Sequence, residues 1–226
     1  IGFDMGCGSG RWASFIAPKV EKLLCVDPSE EALEVAKENL SSFINCKYVC
    51  CTAENFSIPD QSMDFGYSLG VLHHVSNTEE SLINCVKKLK KNAPFLLYLY
   101  YQLDNRSFFY KFVWKLSDIA RLVISRMPFQ LKKIVTDLVA VGVYWPLSRL
   151  SKLVNLVGFN DSSIPLSFYK NSSFHTLRTD ALDRLGTKLE KRYSKSSMMK
   201  LMADSGLKNI KFSDEVPYWV AIGYKA

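Results

Sequence analysis

The sequence has little from which to build a metal centre. Its three histidines stand at 73, 74 and 175 with no His-x3-5-His spacing, and its six cysteines at 7, 25, 46, 50, 51 and 85 form no Cys-x-x-Cys pair. A zinc site of the usual spacing is therefore excluded, and no metal is expected. Several cysteines lie in apolar runs, so they are expected to be reduced core residues of a cytoplasmic protein. No uncharged apolar run reaches the roughly 20 residues of a membrane span. The longest, 138–148, has 11 residues. No signal peptide is visible in these residues, and no internal repeat or low-complexity segment is seen. Residue 1 already falls inside an apolar run (Ile1-Gly2-Phe3), so the chain is expected to have lost upstream sequence.

Acidic residues thin out along the chain. Residues 1–101 carry 9 Lys and Arg against 12 Asp and Glu, a net of −3; residues 102–226 carry 20 against 10, a net of +10. A basic half suits an acidic small-molecule acceptor, a membrane surface or nucleic acid, and equally a solvated basic face. The 226 residues suffice for one α/β domain with an elaboration.

What is present is ordered. Apolar runs at 1–5, 23–26, 48–51, 65–69 and 95–101 read as strands, with helical patterns at 10–18, 30–40 and 78–91 between them. This alternation predicts βαβ units and a parallel sheet covered on both faces. Ser29 before Glu30 and Glu31, and Thr78 before Glu79 and Glu80, read as helix caps followed by acidic first turns. Residues 105–157 change to helical period, with a stripe of Phe109, Phe112, Val113, Leu116, Ala120, Val123 and Ile124. Lys111, Lys115, Arg121 and Arg126 flank that stripe, and Pro128 and Pro146 divide the block. It is read as a helical cap inserted after strand five. One reading has its apolar stripes buried against the domain; the other makes it a greasy acceptor channel or a surface lying on a membrane. A stretch rich in Ser, Asn and basic residues follows (159–195), then a helix at 194–205 and strands at 207–213 and 218–225.

The most informative segment is Asp4-Met5-Gly6-Cys7-Gly8-Ser9-Gly10, between the first strand and the first helix. Glycines there let the backbone approach a ligand closely, and the helix start offers free N–H groups. The spacing is not the GxGxxG of dinucleotide sites, because Arg11 stands where the third glycine would be. Nineteen residues beyond Gly8, Asp27-Pro28 ends the second strand, where a carboxylate can accept both hydroxyls of a ribose. Cys51-Thr52-Ala53-Glu54 ends the third strand. The fourth runs Asp64-Phe65-Gly66-Tyr67-Ser68-Leu69-Gly70 into Val71-Leu72-His73-His74.

In order and spacing these four segments, about 75 residues, resemble the class I S-adenosylmethionine-dependent methyltransferases. The nearest subgroup is the small-molecule, type 11/type 12-like group. The resemblance implies a Rossmann-like, doubly wound, mostly parallel seven-stranded sheet with its last strand antiparallel, and S-adenosylmethionine as cofactor. It implies that Gly6, Cys7, Gly8 and Gly10 line the cofactor and that Asp4 orients the loop or reaches the cofactor ammonium. Asp27 and Pro28 would flank the ribose, Thr52, Ala53 and Glu54 the adenine, and Leu69 and Gly70 the sulfonium. Thr52 stands where the family commonly has Asp, and Gly66 where it has Val or Ile.

Methyl transfer to a hydroxyl needs a base, for which His73, His74 and His175 are the candidates. His175 neighbours Arg178 and Asp180, a candidate cluster for an anionic acceptor. The expectation is methylation, at oxygen, of a small or lipid-linked biosynthetic acceptor, with peripheral membrane contact. A nucleic-acid methyltransferase is the rival. The basic half favours it, but no N/D-P-P-Y/F motif follows strand four. A second rival is a non-catalytic cofactor-binding partner. Oligomeric state is not legible.

Overall fold

The computed structural model describes residues 1–105, 107–161, 164–215 and 218–226. They divide into two compact units, the first comprising Ile1–Asp104 and Lys191–Ala226 and the second Asn105–Glu190.

The first unit is a seven-stranded sheet of β1 (Gly2–Met5), β2 (Leu23–Asp27), β3 (Cys46–Cys50), β4 (Phe65–Leu69), β5 (Pro94–Tyr98), β6 (Leu207–Phe212) and β7 (Val220–Lys225). Their order is β3-β2-β1-β4-β5-β7-β6. β1 to β5 pair in parallel, and β7 runs antiparallel to both β5 and β6. This is the Rossmann-like arrangement expected. The order reverses at β1, whose neighbours are β2 and β4. In open α/β sheets ligands bind beyond the carboxyl ends of the strands at such a reversal.

Alternating side chains feed two cores. Phe3 and Met5 of β1 pack with Leu82, Cys85 and Val86 of α3 (Thr78–Lys88) and with Met198 and Met202 of α8 (Lys195–Asp204). On the other face Leu23 and Cys25 pack with Ala13 of α1 (Ala13–Ile16) and Leu33 of α2 (Glu30–Asn39). Gly66 has a steric reason. It lies opposite Phe3 in the ladder, and a Cβ there would sit 2.4 Å from the Phe3 ring. Gly2 stands in the same relation to Phe65. The two glycines make room for two aromatic rings.

Several boundaries differ from the sequence reading. The helix expected over 10–18 shrinks to α1 and one 3-10 turn, because Gly10 sits at φ +80° and Pro18 stands in that turn. The cap of α3 is Asn77, whose side chain accepts from the Glu80 N–H at 3.2 Å. Thr78 instead donates to the Leu72 carbonyl at 2.9 Å. Ser29 caps α2 as expected, accepting from Ala32 N–H at 3.1 Å.

The second unit is helical: α4 (Phe108–Ile124), α5 (Phe129–Val139), α6 (Trp145–Leu156) and α7 (Phe174–Gly186). Its interior includes Ala140, Tyr144, Leu177 and Ala181. Two of its features depart from expectation. Pro146 does not divide the block: helix runs from Phe129 to Leu156, with a π-helical turn at Ala140–Tyr144 joining α5 to α6. A proline cannot donate an N–H to the preceding turn, and a π turn absorbs that lost bond. The boundary expected at 157 also falls inside this unit, whose α7, in the stretch read only as rich in Ser, Asn and basic residues, packs on α4 and α5.

Candidate functional site

The loop after β1 is built by backbone that only glycine adopts easily. Gly6, Gly8 and Gly10 have φ of +79°, +52° and +80°. A Cβ on Gly6 would lie 2.4 Å from the methyls of Val71, whereas one on Gly8 would meet nothing within 4 Å. Gly6 is thus small because protein presses on it. Gly8 faces open space and is small only for its conformation.

Asp27 fixes this loop. One carboxylate oxygen accepts from the Gly8 N–H at 2.9 Å and the other from the Ser29 N–H at 3.0 Å. One side chain thus both ties down the loop and caps the turn into α2. Each oxygen keeps a further lone pair, so acceptance from a diol remains available. The Gly6 and Cys7 N–H groups both donate to the Val26 carbonyl, at 2.7 and 3.0 Å. Cys7 turns its thiol into the core beside Cys25 and Cys46, so its side chain is not offered to a ligand.

Beneath the loop lies Asp4, 1% exposed, with Oδ2 lacking a hydrogen-bond partner. Burial pushes its pKa up to about 7; the Tyr67 hydroxyl opposes the shift and the Asp27 charge adds to it. A cation placed over the loop would restore the anion, since an opposite charge nearby favours the ionised form.

A cavity of about 200 Å³ opens beside the loop, lined among others by Gly6, Pro28, Thr52, Ala53 and Glu54. Glu54 accepts from the Ser81 hydroxyl at 2.9 Å. Burial alone would raise its pKa, but hydrogen bonds from its own backbone, Ser81 and Thr52 outweigh that and lower it. The carbonyls of Ala53, Glu54 and Phe56 all accept from the Asn84 side-chain amide, at 2.7, 3.2 and 3.2 Å. Asn84 therefore holds the cavity wall in place. Sequence reading missed it, because a lone Asn inside a helix carries no pattern. A larger cavity, about 410 Å³, lies against Phe65, Tyr67 and Leu69 and is lined almost wholly by apolar surface, without the glycine loop or Asp27. The smaller one is bordered by Gly6 of the glycine loop and by Pro28, Thr52 and Glu54.

At the ends of β4 and β5, Leu69 and Gly70 are half-buried, and the Gly70 N–H donates to the Tyr98 carbonyl at 3.0 Å. The His73 ring lies 3.8 Å from that of Tyr100 and 4.0 Å from that of His74. The Arg192 guanidinium sits 5.5 Å over the Tyr100 ring. His73 is fully buried and both ring nitrogens lack partners. Burial, then His74 and Arg192, drive its pKa down to about 2, so the ring stays neutral. His74 is half-buried. Tyr98, Tyr100 and Arg192 were not singled out from the sequence, although Tyr98-Leu99-Tyr100 at a strand's carboxyl end was a usable signal.

His175, Arg178 and Asp180 lie on α7 in the second unit. His175 is exposed. Arg178 makes a two-pronged ion pair with Asp137 of α5, Nε to Oδ1 at 2.8 Å and Nη2 to Oδ2 at 2.6 Å. That guanidinium already has an internal partner.

Residues 3–97, the stretch that contains this site, match the family model of the methyltransferase domain. They belong to that family. Over 108 residues the chain is 32% identical to the uncharacterized methyltransferase YcgJ of Bacillus subtilis, covering 45% of this chain and 41% of that protein. Over 106 residues it is 27% identical to the ubiquinone biosynthesis O-methyltransferase of Coxiella burnetii, covering 46% and 44%. The chain thus spans under half the length of these curated relatives. Among solved structures, the carbon methyltransferase CurJ aligns over 100% of this chain and 48% of its own, with a TM-score of 0.57 at 11% identity. That likeness establishes the methyltransferase fold.

The methyltransferase domain's residues fit the family's cofactor on their own evidence. An open Gly8, an anion-capable Asp4 beneath the loop, Asp27 at the loop and a cavity beside them edged by Thr52 and Glu54 suit a cationic nucleoside.

Proposed function

We propose that the domain binds S-adenosylmethionine and transfers its methyl group to a hydroxyl of a small or lipid-linked biosynthetic acceptor. The observation that carries this reading is the left-handed glycine loop tied through Gly8 to Asp27, with buried Asp4 below it. When bound, the cofactor supplies a methyl group already activated by positive sulfur. The chain's own work is to bind, orient and exclude water. Asp27 and the open backbone at Gly8 would hold the ribose, the wall at Thr52–Glu54 the adenine, and Asp4 the cationic end.

Methylation at oxygen also needs a proton acceptor. His74, half-buried beside Tyr100, is the proposed base, while His73, buried and neutral, supports the ring stack. The likeness to a ubiquinone biosynthesis O-methyltransferase supports oxygen as the target.

The test is transfer of labelled methyl from the cofactor to a fractionated cell extract. Label in small-molecule or lipid fractions that His74→Asn abolishes is the expected result. Label in tRNA would establish the nucleic-acid reading instead, and no label in any fraction would mark a non-catalytic cofactor-binding protein.

A further inference from the structure

The helical unit presents two apolar stripes to solvent. On α4, Phe109, Phe112, Leu116, Ile119 and Val123 follow one another at steps of three and four, and their exposure runs from 52% for Phe112 to 70% for Phe109. Along the continuous helix 129–156, Leu131, Ile134, Leu138, Val141 and Trp145 do the same, from 47% to 66% exposed. Steps of three and four place each set on one helix face. The stripe on α4 is largely the one that sequence periodicity left open between burial and a channel or membrane surface. Exposure of this extent on a monomer marks a binding surface.

Charge selects the occupant. The unit holds 13 Lys and Arg against 6 Asp and Glu, a net of +7, and this accounts for all of the chain's net charge of +7. Among the described residues of α4 to α6, the only acids are Asp118 and Asp137, both half-buried and paired with Arg121 and Arg178. Lys111, Lys115, Arg126, Lys133 and Lys152 are exposed. Lys111 and Lys115 each sit one position before an exposed apolar residue, Phe112 and Leu116. A second copy of this face would meet like charge with no acid to answer it. An anionic lipid surface answers both features, taking apolar side chains into its acyl boundary and lysines at its phosphates. No helix among the described residues is long and apolar enough to cross a membrane, so the geometry is that of a helix lying in the interface.

We infer that α4 and the helix 129–156 dock this protein on an anionic lipid surface. This goes beyond the methyl-transfer reading and does not depend on it.

The test is co-sedimentation of the whole chain with phosphatidylcholine vesicles, with and without phosphatidylglycerol. The expected result is binding to the anionic vesicles that weakens as salt rises. Lys111→Gln and Lys115→Gln should each lower affinity about fivefold. Phe112→Ser with Leu116→Ser should lower it tenfold or more, and because both residues are exposed the circular dichroism spectrum should not change. Cofactor binding by these variants, read separately, should be unaffected, so a failure here stands apart from a failure of the methyltransferase reading. No binding to either vesicle, equal binding to both, or a stable dimer in solution that the apolar double variant dissolves would each overturn the inference.

Discussion

Asp4 offers a sharp handle on the cofactor site. It is buried, one of its oxygens has no partner, and its pKa is pushed up to about 7 by burial. Near neutrality about half of the free protein would therefore carry a neutral carboxyl under the loop. A bound cofactor brings an ammonium and a sulfonium, and an opposite charge within a few ångströms lowers a carboxyl pKa by about 1–3 units. Binding then releases a proton, and affinity rises with pH up to the free-protein pKa. For a one-unit shift the gain between pH 5 and 7.5 is roughly 7-fold, and for two units roughly 40-fold, by proton linkage. The upper end of the range stays below the pKa of an α-amino group, about 7.7–8.0. Calorimetry in buffers of different ionisation enthalpy reads both the affinity and the released proton. Asp4→Asn should flatten the dependence. Methylthioadenosine, which lacks the charged amino-acid end, should bind with no slope in the wild type. A flat profile for S-adenosylmethionine in the wild type, or an unchanged slope in Asp4→Asn, would refute the reasoning.

Further outcomes follow from individual residues. Between about pH 4 and 6.5, raised Asp4 and depressed His73 act on stability in opposite directions. Asp4 loses stability as pH rises toward 7, and His73 loses it as pH falls below 6.5, each at about 1.4 kcal/mol per pH unit. Urea melts across this range should thus show a tilt in Asp4→Asn, with stability rising with pH, and the reverse tilt in His73→Leu. Gly6→Ala combines a φ of +79° with a Cβ 2.4 Å from Val71, so thermal melts should show destabilisation of roughly 2–4 kcal/mol. Asn84→Ala leaves three carbonyls of the cavity wall without their donor. Roughly 1–3 kcal/mol of stability should be lost, with weaker binding of adenosine itself. A double-mutant cycle on Arg178 and Asp137, a half-exposed pair, should give a coupling of about 0–1 kcal/mol. A change in acceptor KM without that coupling would return Arg178 to the acceptor site.

Legibility in the sequence tracked locality. β1, its glycine loop and Asp27 sit within 27 residues and are specified by backbone chemistry that single residues signal. The parallel pairing of β1 to β5 followed from the alternation of strands and helices, and the antiparallel last strand from the resemblance. The shortened α1 and the Asn77 cap were missed because neighbouring residues compete for a cap, and only the backbone path decides between them. The covering of α4 was left open for a different reason. A stripe of apolar residues shows that one side differs from the other, not that protein covers it, and here Phe109 and Leu116 meet solvent. The second unit's true extent depended on α7 packing against α5, a contact between residues about 40 apart that leaves no periodic trace.

The central claim is that the open glycine at position 8 and Asp27 form a cofactor site. Titration with S-adenosylhomocysteine of the wild type, Gly8→Ala and Asp27→Ala tests it most directly. A Cβ on Gly8 meets no protein atom within 4 Å, and the left-handed backbone costs about 1–2 kcal/mol, so Gly8→Ala should still fold. The account predicts saturable one-site binding in the wild type and a tenfold or greater loss in both folded variants. No saturable binding in the wild type, or equal affinity in all three proteins, would contradict it.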